Sequence, residues 1–191
     1  MNLRITLVAL FCLALFGMAQ AQSAWTQPAQ NGYFQLGVTN IGPYDGIYGS
    51  VVDRFELPRE VRDFTIQAYG EYGITDKLTL IGAIPLKALS VGDESDAFSG
   101  FSFVEEGSQF ALGNINLGAR YSLYSGAVNV AAQLLVELPG GGLDEATGLR
   151  PGYDAFSFKP TVSVGAGLGK GFVYGHVGVP LRTNNYSHSF L

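Results

Sequence analysis

The chain has two histidines, His176 and His188, and any catalytic reading begins with them. A serine hydrolase brings a serine, a histidine and an orienting acid together so that the imidazole can take the hydroxyl proton. Ser163 lies where a hairpin between residues 156–168 and 172–181 would set it near His176, but no third group marks it as activated. His176 therefore reads as a hydrogen-bonding side chain on a polar face. The runs Gly140-Gly141-Gly142 and Gly165-Ala166-Gly167-Leu168-Gly169 suggest a phosphate cradle, which requires a helix N-terminus directly behind the loop. Neither run opens a helix, so both are assigned to turns and strand bends. Asp93, Glu94, Asp96, Glu105 and Glu106 lack the ligand spacing of a calcium loop and read as a solvated surface. The expectation is a protein that is not an enzyme, with no metal site and no cofactor.

The remaining charges are informative through their positions. Only 14% of the residues are charged, against about 25% in ordinary soluble domains. Lys and Arg number 11 against 16 Asp and Glu, a net charge of -5, so no basic face is available for nucleic acid. From Gly32 onward the apolar residues recur with period two, in segments separated by Gly, Asn, Asp and Ser clusters, which is the pattern of β-strands. Seven strands are expected, over 33–39, 64–72, 78–86, 115–121, 128–138, 156–168 and 172–181. Each has one face far more apolar than the other: Phe64, Ile66, Ala68 and Tyr72 alternate with Thr65, Gln67, Tyr69 and Glu71. Glu71, Lys87, Arg120, Glu137, Lys159 and Arg182 all stand on the polar phase of their strands. That phasing suits a barrel, where an Arg or Lys facing lipid costs about 2–4 kcal/mol near the midplane. It equally suits a soluble sandwich, which also alternates in and out.

Loop lengths separate the two. The links 73–77, around Tyr124-Ser125, and around Gly169-Lys170-Gly171 are short, whereas 41–63, 87–114, 140–155 and the tail from Arg182 are long, polar and glycine-rich. Short turns on one side and extended loops on the other are the layout of outer-membrane barrels. The expected hairpin registers, Tyr121 opposite Val128 and Arg120 opposite Asn129, keep like faces together. Tyr72 and Tyr121 at the turn ends, with Phe64, Phe156 and Phe158 near the loop ends, would form two aromatic girdles. Upstream, Arg4 precedes an apolar run over 5–18, and Ala19-Gln20-Ala21 offers a small-x-small cleavage pattern, so residues 1–21 are expected to be a secretory signal peptide. The run is too short for a spanning helix of about 20 residues. Cys12 would leave with the leader, and disulfides and thiolate metal sites with it.

Ala24-Trp25-Thr26-Gln27-Pro28 leading to Gly32-Tyr33-Phe34, the hairpin 69–80 and the segment 113–121 resemble bacterial outer-membrane β-barrel proteins of the transporter-like group associated with the phenol-degradation meta-pathway. The resemblance spans most of the chain after the leader and implies a pore or uptake role for small organic compounds. Chains of this kind usually finish on a closing strand with a terminal aromatic, whereas residues 183–191 read as a loop followed by the start of another strand. The expectation is an all-β, antiparallel transmembrane barrel, an up-and-down meander over residues 22–191, truncated at its C-terminus. It would sit among the lipids of a Gram-negative-type outer membrane after export through the periplasm.

The functional surface would then be the interior and the loops. Glu71, Arg120, Gln133, Glu137, Lys159, His176 and Arg182 are the candidate lumen-lining residues, with Glu71 set to pair with Arg120 near the turn side and Glu137 with Lys159 near the loop side. Phe98, Phe101 and Phe103 could fold inward as a constriction loop, or pack the connection itself. The leading reading is a channel for small solutes. A narrow structural or adhesion barrel whose external loops bind partners, and a soluble exported β-sandwich, are the alternatives. Oligomeric state and the identity of a solute are not written in the residues.

Overall fold

Alternation of apolar and polar residues gives a chain two usable faces only as an extended strand, and a computed structural model shows strands throughout. It describes residues 24–48, 54–95 and 104–183; the expected leader and Phe98, Phe101 and Phe103 lie outside the described residues. Nine strands form one antiparallel meander: β1 (Gly32–Tyr48), β2 (Arg54–Thr75), β3 (Leu78–Glu94), β4 (Gly107–Leu112), β5 (Ile115–Tyr124), β6 (Val128–Leu138), β7 (Ser157–Leu168), β8 (Gly171–Gly178) and β9 (Leu181–Arg182). Strands β4 and β5 run along the same neighbour, β3, as one pass broken at Gly113 and Asn114. Strands β8 and β9 likewise follow β7 as one pass. The passes therefore number seven, as the periodicity indicates. Among the described residues β1 pairs only with β2 and β8 only with β7, so the sheet is not closed.

Two of the expected connections are in fact strand. Strands β1 and β2 continue their pairing past Ile41 and Asp63 to Tyr48 and Arg54, through bulges, and β3 continues to Glu94 with β4 returning beside it. These stretches are rich in charge and contain Pro58, which makes them look like loops. A hairpin that projects into water has no need of apolar residues, and cross-strand ion pairs such as Arg54 with Asp45 (2.6 Å) and Lys87 with Asp63 (2.7 Å) accompany the ladder instead. The strongly apolar outer zone of β2, from Phe64 to Tyr72, nevertheless covers nine residues, close to the 9–11 of a membrane-spanning strand.

The register of the β5–β6 hairpin also departs from expectation. Tyr121 stands opposite Ala132 and Arg120 opposite Gln133, not Val128 and Asn129. β5 runs on to Tyr124 past an irregularity between Ser122 and Tyr124, and the turn is tightened by a 2.8 Å contact between the hydroxyls of Ser122 and Ser125. The slip is four residues along β6, an even number, so every side chain keeps its face. In the β2–β3 hairpin Thr75 meets Leu78 across Asp76 and Lys77, and in the β7–β8 hairpin Leu168 meets Gly171 across Gly169 and Lys170.

What distinguishes this sheet is which face it covers. A soluble sandwich buries its apolar face and wets its polar one. Here the reverse holds: Phe34, Leu36 and Val38 on β1 are about two-thirds exposed, and Leu134, Val162 and Val164 on the central strands are nearly half exposed. The opposite phase, with Thr79, Arg120, Gln133, Glu137, Thr161 and Ser163, is buried on the concave side. Tyr72, Tyr121, Phe64, Phe156 and Phe158 are all exposed on the apolar face.

The register makes a direct prediction. Residues opposite one another in an antiparallel pair have Cα atoms about 4.5–5.5 Å apart, within disulfide range. Tyr121→Cys with Ala132→Cys should cross-link on mild oxidation of the folded protein, and Tyr121→Cys with Val128→Cys should not. Non-reducing mass spectrometry of a peptide digest reads the difference.

Candidate functional site

The concave face is organised around Arg120 on β5, whose side chain has no exposed surface. A guanidinium cannot shed its proton in a protein, so its burial demands acceptors on every side. Glu71 on β2 supplies two: Arg120 donates from Nη2 to Oε1 at 3.0 Å and from Nη1 to Oε2 at 3.3 Å. Nε donates to Gln133 Oε1 at 3.0 Å, and Nη1 also donates to the main-chain carbonyl of Trp25 at 2.9 Å. Glu71 accepts two further bonds, from the Tyr69 hydroxyl at 2.5 Å and from Gln27 Nε2 at 2.8 Å. The two-pronged Arg–carboxylate geometry is the strong form of such a pair. It crosses the sheet from β2 to β5 above the intervening β3.

The partners contributed by Trp25 and Gln27 belong to a segment the strand pattern does not reveal. Residues 24–31 precede β1 and cross the concave face at its turn end. The Gln27 amide donates to Thr79 Oγ1 at 2.7 Å, the Thr26 hydroxyl to the Asp76 carbonyl at 2.7 Å, and the Ala29 amide to Asp76 Oδ1 at 2.9 Å. Pro28 passes so close to Gly73 that a Cβ there would collide with the Pro28 carbonyl. At the far end the Trp25 indole meets the Phe172 ring edge-on, centroids 5.7 Å apart, and lies over Gly165, where a Cβ would come within 2.7 Å of the ring. The strap thus reaches from the β1 edge to β7 and β8. Trp25 and Gln27 are the residues sequence reasoning missed, and the chain's lone tryptophan beside a proline just ahead of the first strand is the signal that could have found them.

At the other end the interior is covered by residues 140–155. Asn114, in the break between β4 and β5, holds this connection: its Oδ1 accepts from the amides of Gly140 (3.0 Å) and Tyr153 (2.8 Å), and its Nδ2 donates to Glu137 Oε1 at 2.9 Å. Leu149 is buried against Leu89 and Val91, with Val61 and Val104 beside them. These three strand residues lie on the same phase as the polar wall, so the concave face turns apolar where a folded connection covers it. Glu137 pairs with Lys159 on this side, and the Arg182 guanidinium lies over the Tyr153 ring at 4.7 Å.

Between strap and cap lies a cavity of about 300 Å³, lined among others by Thr65, Asp63, Lys87, Asn114, Glu137 and Tyr153. Asp63 holds Lys87 and also accepts from the Thr65 hydroxyl at 2.7 Å, so its wall charges are internally matched. Glu71, Arg120, Gln133 and Glu137 are brought together on the buried face, with Lys159 half-buried beside them. His176, opposite Ser163 on β8, and Arg182 on β9 are exposed at the open edge. The His176 ring stacks on Tyr174 at 6.4 Å.

A family model described as "Putative MetA-pathway of phenol degradation" matches residues 42–188. The chain belongs to this family. No curated protein and no solved structure matches it. The family match begins inside β1, downstream of the strap, and runs through the rest of the meander.

Removing one partner of a buried ion pair strands the other, at a cost of about 3–5 kcal/mol. Arg120→Met should therefore lower folding stability by that order, measured by denaturant unfolding in detergent micelles. Arg120→Met combined with Glu71→Gln should recover much of the loss, because the lone carboxylate is gone.

Proposed function

We propose that the protein is an outer-membrane β-barrel that serves as a channel or uptake pore for small solutes. The inverted distribution of the two faces carries this reading: large apolar side chains cover the convex side, and a buried layer of ion pairs and amides lines the concave one. Acyl chains are the surroundings in which that convex face costs least. Lipid has no water for unpaired backbone groups, so the reading requires both sheet edges to be paired in the membrane. The expected signal peptide would deliver the chain across the inner membrane, and the charged extensions of β1, β2 and β3 would project from the surface.

The concave wall suits solutes without strong charge. Asp63 with Lys87, Glu137 with Lys159 and Glu71 with Arg120 each neutralise one another, leaving amides and hydroxyls as the groups available to replace a solute's hydration. The family's description, a pathway of phenol degradation, is in keeping with small organic solutes. No residue is assigned a catalytic role.

Two experiments test the proposal. In planar bilayers the full-length protein should give stepwise currents with little preference between cations and anions; a membrane-inserted but silent protein would favour the narrow adhesion barrel. Leu134→Arg, on the convex face, should destabilise the protein in lipid bilayers by about 2–4 kcal/mol. An unchanged unfolding midpoint in vesicles would argue for a water-facing surface.

A further inference from the structure

We infer that residues 24–31 form the constriction of the pore at its turn end, a size-limiting strap latched by Arg120. The inference rests on the pore reading and goes beyond it by naming the element that sets what passes. First, residues 24–29 are separable from the barrel wall: Gln30 and Asn31 exchange main-chain bonds with Gly73 and lead into the strand pairing that begins at Gly32 with Tyr72, whereas the residues before them take no part in it. Second, it traverses the interior instead of lying along one strand, meeting β2 through Glu71, β3 through Thr79, β5 through Arg120, and β7 and β8 through Trp25. Third, its bulkiest side chain, the Trp25 indole, is set at the far side, where Gly165 leaves the room.

The latch is a main-chain bond to a charged donor. Arg120 Nη1 holds the Trp25 carbonyl while the same guanidinium also donates to Glu71 and Gln133, so a wall group with no exposed surface also fixes the strap. Gln27 repeats the connection from the opposite direction by donating to Glu71. Arg120 acts here as a positioning residue: it holds the segment that would restrict the solute.

The test compares unit conductance of the mature full chain, refolded and inserted in planar bilayers, with that of a chain lacking residues 24–29, and adds Ala24→Cys with Gly165→Cys. A Cβ on Gly165 would lie 3.0 Å from that of Ala24. A disulfide needs about 3.5–4.5 Å, so a small outward shift of the strap and a tilt of the Trp25 ring admit the bond. The expected result is cross-linking of the cysteine pair in the folded protein, with conductance at or below that of the intact chain, and a rise of about twofold or more in the shortened chain as the open cross-section grows. Equal conductance of intact and shortened chains would overturn the constriction and leave the pore standing. Silence from both would overturn the pore reading and the constriction with it. Should the shortened chain fail to fold, the cysteine pair decides: a folded protein that does not cross-link refutes the strap's position.

Discussion

The structure depends on where one group that cannot lose its charge, the guanidinium of Arg120, finds its acceptors. A cation with no exposed surface must be surrounded by oxygen, and no single strand can provide it. Glu71 comes from two passes earlier in the chain's layout, Gln133 from the adjacent strand, and the Trp25 carbonyl from a segment outside the sheet. Meeting that demand curls the sheet so that β2 and β5 face one another across β3, and draws the N-terminal segment beneath them. The concave face is therefore shaped by electrostatic satisfaction, where a soluble domain would use apolar packing.

This division of labour explains why a polar interior can be so well buried. Burying polar groups is costly unless they are bonded, and here the residues that vanish from the surface are those with partners: Glu71 accepts from three residues, Asn114 bonds two main-chain amides and Glu137, and Thr79 takes a main-chain amide. Most of the large apolar residues, freed from making a core, lie on the convex side, although Ile81, Ala83 and Ala131 are buried among the polar groups of the concave one. The small core that does exist, Leu89, Val91 and Leu149, sits beneath the 140–155 connection, outside the zone of alternating polar wall.

Much of this was legible in the residues. Period-two alternation yields the seven passes and their faces, and the phase of six charged residues yields the contacts of Glu71 with Arg120, across the intervening β3, and of Glu137 with Lys159 on the next pass, because opposite charges on one buried face at one height have few other places to go. What escaped was whatever does not alternate. The extensions of β1 to β3 interleave charges, bulges and Pro58 with their few apolar residues and so look like loops, and the strand break at Asn114 is a matter of side-chain hydrogen bonds. The four-residue slip between β5 and β6 preserves parity and so leaves the pattern unchanged. The strap was hidden for a related reason: its structure comes from tertiary bonds to Thr79, Asp76 and Arg120, and eight residues without periodicity carry no sign of where they will dock.

The two ends of the interior are closed by different physics, and the difference bears on which end yields. The loop-side cover is held by apolar contact of Leu149 with Leu89 and Val91 as well as by Asn114, and apolar contact is non-directional: it tolerates small displacements and has no polar competitor. The turn-side strap is held by hydrogen bonds, each of which water or a polar solute can replace donor for donor and acceptor for acceptor, and by the Trp25 edge contact with Phe172 at its far end. Exchange at the Trp25 carbonyl leaves Arg120 still paired with Glu71, so the wall keeps its charge balance while the strap moves. No comparable exchange exists for Leu149, whose removal would expose apolar surface on both sides. The polar bonds of the strap are therefore more readily exchanged than the contacts of the loop-side cover, because water can satisfy the wall groups that those bonds would leave, while Leu89 and Val91 have no polar substitute for Leu149.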